Sequence, residues 1–179
     1  MQFSPNVEAL ATASRDGTAK VGKRDGSLIA ALGGHSNTVS KVRFSPDGET
    51  LATTGSGRIA KLWRVDGTLL TTLEGHSNTV LEVRFSPNGE TIATASSDGT
   101  VKVWQVDGTL IATLDGHSDA VLEVRFSPSG EALATASRDG TAKVWPWSLD
   151  ALITYACQNM EGYLLSSSNV QPGDKDLCD

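Results

Sequence analysis

Histidine, serine and aspartate side chains occur at a spacing that could support nucleophilic catalysis. His76, Ser96 and Asp98 form one such set. In a catalytic triad, histidine takes the proton from the serine hydroxyl while aspartate orients the imidazole. The same set recurs 41 residues further along the chain. A stabilising network is expected once per structural unit, whereas a repeated active site is unusual, so we predict no catalytic residues.

The 41-residue interval extends through residue 147. Phe-Ser-Pro marks its four copies, starting at Phe3, Phe44, Phe85 and Phe126. Two copies are identical at 20 of 25 aligned positions. A period in this range indicates a modular array. The predicted copies lie near residues 1-32, 33-73, 74-114 and 115-147, followed by a tail over residues 148-179.

Each copy reads as a set of short strands. In the third copy, Val80–Phe85 alternates apolar and charged residues, and β-branched residues dominate the segments that follow. Ser86–Gly89 forms a turn cluster, and Asp98-Gly99 is typical of a two-residue hairpin. Four antiparallel strands with turns every 8–12 residues favour a propeller blade over a helical solenoid.

These segments resemble a WD40 repeat. The resemblance rests on Gly75-His76, Val83–Gly89, Ser96–Thr100 and Trp104, and it covers residues 1 to about 147. The aspartate of the family's Trp-Asp pair is missing from the copies that have the tryptophan. The resemblance implies an all-β fold, a β-propeller segment of four four-stranded blades. Such a segment is a partial ring or half of an oligomeric ring.

The resemblance also implies a buried hydrogen-bond relay linking histidine, serine, aspartate and tryptophan within a blade. The residues that match it are His76, Ser96, Asp98 and Trp104, and His117, Ser137, Asp139 and Trp145. The second copy has Gly55 and Gly57 at the serine and aspartate positions, and the first has Gly22 at the tryptophan position. We expect these two blades to be less stable than the blades with the complete relay.

Partner contacts in WD40 domains usually come from three positions per repeat. These correspond here to Thr38, Thr79 and Ala120, to Ser40, Leu81 and Leu122, and to Arg15, Ser56, Ser97 and Arg138. Leu81 and Leu122 would be apolar anchors, and the two arginines could pair with acidic or phosphorylated groups. A binding surface and ordinary loop residues both remain open as interpretations.

A second recurring set is charged. Arg43, Arg84 and Arg125 share one repeat position, with Glu82 and Glu123 two residues before the last two. A basic ring along the propeller axis is one interpretation. Mutual pairing is the other, and the alternation of sign favours it.

Composition narrows the function classes. The net charge of −6 argues against nucleic acid as the main partner, because phosphate binding needs a basic face. No apolar run approaches the length of a membrane span. Metal-spaced ligands and phosphate-binding loops are absent from the sequence, so we expect no metal and no cofactor. Cys157 and Cys178 are expected as free thiols or as a disulfide within the tail, and the expected location is cytoplasmic.

The ends of the array leave the completion of the ring open. The chain is a fragment of a longer protein, or two chains join head to tail, or four blades close alone. The tail predicts a helix from Leu149 to Leu164 that caps exposed blade surface or binds a partner. It resembles the C-terminal extension of bacterial, especially cyanobacterial, proteins in which such repeats follow an NTPase signalling module.

The sequence therefore predicts a non-catalytic scaffold or sensor surface that binds a protein or peptide. The alternative is a self-assembling element whose blades complete a ring with another copy or with upstream blades.

Overall fold

The computed structural model describes residues 1–147, and within that range it contains strands and turns but no helix. The strands in chain order are β1 (Gln2–Phe3), β2 (Ala9–Ala13), β3 (Ala19–Lys23), β4 (Leu28–Leu32), β5 (Val39–Phe44), β6 (Thr50–Gly55), β7 (Ala60–Arg64), β8 (Leu69–Leu73), β9 (Val80–Phe85), β10 (Thr91–Ser96), β11 (Thr100–Gln105), β12 (Leu110–Asp115), β13 (Val121–Phe126), β14 (Ala132–Ser137) and β15 (Ala142–Pro146). The predicted helical tail lies outside the described residues.

The strands form four separate antiparallel sheets that follow the order of the chain. Blade 1 contains β1–β4, blade 2 β5–β8, blade 3 β9–β12 and blade 4 β13–β15, and each strand pairs with its neighbour in sequence. The all-β class and the repeated blades of the prediction are therefore confirmed. Blade 4 has three strands within residues 1–147, where the prediction had four.

Local sequence explains the strands and their turns. In blade 3, Ile92 pairs with both Phe85 and Trp104, so three large apolar residues cross the sheet on one face. The turn between β9 and β10 ends at Gly89, whose φ of 76° lies in the left-handed region that glycine adopts easily. Val7 occupies the matching position in blade 1 with a φ of 60°, a strained conformation for a β-branched residue.

The hydrophobic cores lie between blades rather than within them. Ala52 and Leu62 of blade 2 are buried in one cluster with Val83, Ile92 and Trp104 of blade 3. Equivalent clusters join blade 1 to blade 2 and blade 3 to blade 4. Among the described residues no cluster joins blade 4 to blade 1, so the ring is open there.

Strand direction sorts the connections into two ends of the array. The β9–β10 and β11–β12 turns lie at one end, which we call the proline end after its Ser-Pro turns. The β10–β11 turn and the connection into β9 lie at the opposite end. We call this the histidine end, because His76 is part of that connection.

Candidate interaction surface

A hydrogen-bonded chain supports the histidine end of blade 3. The indole Nε1 of Trp104 donates to the Thr94 hydroxyl at 2.9 Å, and Nε2 of His76 lies 2.8 Å from the same hydroxyl. Nδ1 of His76 lies 2.8 Å from the Asp98 carboxylate. Asp98 also accepts hydrogen bonds from Thr100 and from the backbone N–H of Ser77. The chain therefore runs from the buried third strand out to the connecting loops.

One protonation state satisfies every member of this chain. With the proton on Nδ1, neutral His76 donates to Asp98 and accepts at Nε2 from the Thr94 hydroxyl, which in turn accepts from Trp104. Burial lowers the pKa of His76 despite the nearby carboxylate, which agrees with a neutral imidazole. Burial opposes ionisation of Asp98, but the hydrogen bonds from Thr100 and His76 outweigh it and lower its pKa to about 2.

The serine of the predicted relay has a different position. The hydroxyl of Ser96 donates to the Asn78 carbonyl at 3.2 Å and accepts from the backbone N–H of Asp98 at 3.1 Å. It does not join His76 to Trp104, so the prediction that serine links these two side chains is wrong. Ser96 instead fixes the turn that carries the aspartate. The linking hydroxyl belongs to Thr94, two residues earlier on the same strand.

Blade 4 repeats the arrangement. Nε2 of His117 lies 2.8 Å from the Thr135 hydroxyl, which also accepts from Trp145 at 3.0 Å. Nδ1 of His117 lies 2.9 Å from Asp139. Ser137 likewise bonds the loop carbonyl of Asp119 rather than the histidine. Residues at the same repeat positions make the same hydrogen bonds in blades 3 and 4, which agrees with a structural role.

Blades 1 and 2 contain only parts of this hydrogen-bond network. In blade 2, Thr53 lies 2.8 Å from both His35 and Trp63, but glycine replaces the aspartate. Serine cannot simply be restored at Gly55, because a methyl group there would lie 1.9 Å from the Thr38 carbonyl oxygen. In blade 1 the threonine is retained as Thr12, and Gly22 supplies no indole.

The low pKa of Asp98 predicts an acid-sensitive step in stability. Because the folded-state pKa of about 2 lies below the ordinary aspartate pKa of 3.8, the stabilisation is complete above this interval and is lost as the pH falls through it. We expect the melting temperature of the Asp98→Asn variant to fall less than that of the parent between about pH 5 and about pH 2. Thermal melts across this range test the prediction. Parallel losses in the two proteins would show that Asp98 contributes nothing.

The recurring arginines are paired with carboxylates. Arg43 lies 2.9 Å from Glu82, and Arg84 lies 3.0 Å from Glu123, so each pair joins one blade to the next. Glu82 is fully buried and is also approached by Lys41 at 3.6 Å. These distances favour mutual pairing over an open basic ring.

The predicted contact residues differ in exposure. Arg15, Ser40, Ser56, Leu122 and Arg138 are exposed, whereas Thr38, Thr79, Leu81 and Ser97 are half-buried. Ala120 is only 3% exposed, so the prediction that it contacts a partner is wrong. The other nine positions keep some solvent access at or near the histidine end.

A backbone bulge presents one of these positions in each of blades 2, 3 and 4. The pairing register shifts around Ser40, Leu81 and Leu122, which are the extra residues of the first strand in each blade. A bulge breaks the alternation of a strand and redirects a side chain. Leu122 is 43% exposed beside the buried Val121. The bulges therefore place an apolar or hydroxyl side chain next to the exposed turn residues.

Sequence reasoning missed one cation at the histidine end. Arg58 lies in the β6–β7 turn of blade 2 and is exposed, where the other blades have glycine at the same repeat position. Together with Arg15 and Arg138 it gives three of the four blades an exposed arginine in this turn. Its departure from the repeat was the signal that could have identified it.

Two further features, a metal site and a membrane-spanning helix, can be checked against the described residues. Within residues 1–147 no group of three His, Cys, Asp or Glu side chains could hold a metal ion. In the same range, no helix has the length and apolar character needed to cross a membrane.

Four successive antiparallel blades, of which blades 3 and 4 contain the complete hydrogen-bond network, are typical of a β-propeller repeat protein. A family model described as the WD domain, G-beta repeat, matches residues 26–64, 67–105 and 108–146. These stretches cover more than half of the chain, which therefore belongs to the WD40 family. No curated protein matched the chain in a sequence comparison. WD40 domains generally act as non-catalytic scaffolds that bind proteins or peptides.

Proposed function

We propose that this chain is a non-catalytic scaffold or sensor surface whose histidine end binds a protein or peptide. The observation that carries the proposal is the combination of exposed Leu122 and Arg138 on one blade, next to a rigid network. Leu122 offers an apolar anchor, and Arg138 offers five N–H donors to an acidic or phosphorylated side chain.

The hydrogen-bond chain supports the proposal through its rigidity. His117 and Asp139 tie the connection into blade 4 to the turn that carries Arg138. A surface held in place before binding loses little conformational entropy when the complex forms. The hydrogen-bond network that recurs in blades 3 and 4 therefore acts on binding indirectly, and the turn residues that differ between blades determine specificity. We extend the proposal to a cytoplasmic location and to a boundary between blades and tail after residue 147.

A matched pair of double variants tests the histidine end. Leu122→Glu/Arg138→Glu replaces an apolar and a cationic side chain of the histidine end by carboxylates. Val106→Glu/Arg64→Glu makes the same charge change at the proline end. Val106 is 42% exposed and Leu122 is 43% exposed, so the pair is balanced for burial. Proteins captured from a source lysate by each full chain are compared by mass spectrometry. We expect the first variant alone to lose partners, at an unchanged melting temperature.

Equal capture by both variants would refute the proposed surface. Loss of the same partners by both would also refute it, because the proline end would then contribute equally.

A second candidate function is completion of a ring through the open ends of the array. The observation that favours it is the exposure of apolar residues on blade 4 whose counterparts in blade 3 are buried. Val144 is 73% exposed, whereas Val103 at the same repeat position is fully buried. Another copy of the chain or further blades could cover this surface.

A further inference from the structure

The junctions between blades 2 and 3 and between blades 3 and 4 share one set of contacts. We call the surface of a blade that packs against the following blade its downstream face, and the opposite surface its upstream face. One contact is ionic: Arg43 reaches Glu82 of the following blade, and Arg84 reaches Glu123. The arginine is on the earlier blade in each case, so the contact has a direction along the array.

A second contact is steric and lies at the proline end. A methyl group on Gly48 would lie 3.2 Å from Cδ of Pro5, and one on Gly130 would lie 3.6 Å from Cδ of Pro87. The proline again belongs to the earlier blade and the turn glycine to the following one. A Cβ atom would be tight against the proline at Gly48 and in ordinary van der Waals contact at Gly130, so a side chain that extends beyond Cβ would meet the preceding blade.

A third contact is the core between blades. Val101 and Val103 on the downstream face of blade 3 are buried against Val124 and Leu133 of blade 4, and Trp145 packs on the same cluster. Small and β-branched residues on one side thus meet a tryptophan and larger aliphatic residues on the other.

The downstream face of blade 4 has the residues that the earlier blade contributes to each of the three contacts. Arg125 occupies the position of Arg43 and Arg84, and its side chain is 60% exposed. Its carboxylate contact within residues 1–147 is Glu123 on its own strand, at 2.7 Å. Pro128 supplies the proline, and Ala142 and Val144 are exposed where the equivalent valines of blade 3 are buried.

The upstream face of blade 1 lacks the glycine and the tryptophan that the later blade contributes to these contacts. Val7 stands where Gly48, Gly89 and Gly130 contact a preceding proline, and it is 53% exposed at a left-handed φ. Gly22 stands where the other blades have tryptophan. A second copy offering blade 1 would therefore bring a side chain against Pro128 and leave the space of an indole unfilled.

The junction between blades 1 and 2 shows that the ionic contact varies with its partners. Gln2 replaces the arginine there, Lys41 replaces the glutamate, and the Gln2 side chain accepts from the backbone N–H of Phe44 at 3.0 Å. A blade carrying lysine at this position would place a cation opposite Arg125, which is unfavourable.

We infer that the downstream face of blade 4 binds the upstream face of a further WD40 blade. That blade carries glutamate at the position of Glu82, glycine at the position of Gly89 and tryptophan at the position of Trp104. It is not the unmodified blade 1 of a second copy. This inference rests on the second candidate function above, since it identifies the occupant that completes the array.

Restoring the missing half on blade 1 tests the match. The variant is the full chain with Val7→Gly, Gly22→Trp and the residues Val-Leu-Glu added before Met1, as they precede Val83 in blade 3. Thr12 retains the hydroxyl to which the new indole can donate. Sedimentation velocity measures self-association, and circular dichroism checks folding. We expect the restored variant to associate at least about tenfold more tightly than the parent chain, and Arg125→Glu in that variant to reverse the gain.

The outcomes separate the inference from the function on which it rests. If the parent chain associates as tightly as the restored variant, blade 1 fits unmodified and the inference fails alone. If the folded restored variant stays monomeric, blade 4 does not bind blades and the second candidate function fails with it. Loss of partner binding at the histidine end affects neither result.

A second measurement remains valid if the restored variant does not fold. Val144→Cys is introduced with Cys157→Ala and Cys178→Ala, and its reaction with a thiol reagent is followed in the native chain. We expect a rate within about tenfold of that of Val106→Cys in the same background, since both side chains are exposed. Stronger protection of residue 144 in the monomer would show that the chain's own residues cover this face, and would overturn the inference.

Discussion

Replacing Thr94 by valine is expected to lower the free energy of unfolding by about 2–4 kcal/mol. The Thr94 hydroxyl accepts from the buried indole of Trp104 and lies 2.8 Å from Nε2 of His76. Valine preserves the shape but leaves two buried polar groups without a partner, and each costs about 1–3 kcal/mol. Urea denaturation of the variant and the parent measures the difference.

Thr12→Val provides the matched control in blade 1. Thr12 occupies the same repeat position, but Gly22 replaces the tryptophan, so no indole from that position donates to its hydroxyl. We expect its effect to stay within about 0.5 kcal/mol. Thr53→Val should lie between the two, because His35 and Trp63 are present without the aspartate. Equal effects at Thr94 and Thr12 would contradict the role of the hydroxyl.

Glu82→Gln is expected to cost about 3–5 kcal/mol, because it removes the buried carboxylate that three cations share. Glu82 is fully buried, and Lys41, Arg43 and Arg84 approach it within 3.6 Å. Glutamine keeps the size of the side chain but leaves three cations without their shared carboxylate. The midpoint of urea unfolding measures the loss.

Glu123→Gln provides the control for burial. Glu123 contacts Arg84 and Arg125, but its side chain is 37% exposed, so water can replace part of the lost interaction. We expect a cost of about 1 kcal/mol or less. A loss at Glu123 as large as that at Glu82 would show that pairing, rather than burial, determines the effect.

The strands and turns could be predicted from the sequence because their signals are local. The alternation in Val80–Phe85 and the glycine at position 89 define a strand and its turn without reference to other blades. The 41-residue interval then transfers each element to the other copies. The relay residues His76, Asp98 and Trp104 could be placed together because their repeat positions resemble those of a known family.

The linking hydroxyl required information on register. Thr94 and Ser96 lie two residues apart on β10, so alternation places both on the same face. Only the distance to Trp104 selects Thr94. One sequence signal was nevertheless present: the second copy keeps His35, Trp63 and Thr53 while it loses the serine and the aspartate.

The surface positions were harder to predict because bulges interrupt the alternation. The register shift at Leu122 leaves Val121 buried and Leu122 exposed, while Ala120 lies beneath the surface. Counting residues from the histidine does not reveal such a shift. The open downstream face of blade 4 also depends on neighbours, since Val144 has the same strand pattern as the buried Val103.

The most direct test of the central claim is the dissociation constant of a captured partner, measured by calorimetry for two charge reversals. Arg138→Glu alters the histidine end, and Arg64→Glu makes the same change at the proline end. We predict that Arg138→Glu raises the dissociation constant at least about tenfold and that Arg64→Glu changes it by less than about twofold. Equal constants for both variants and the parent would contradict a binding surface at the histidine end.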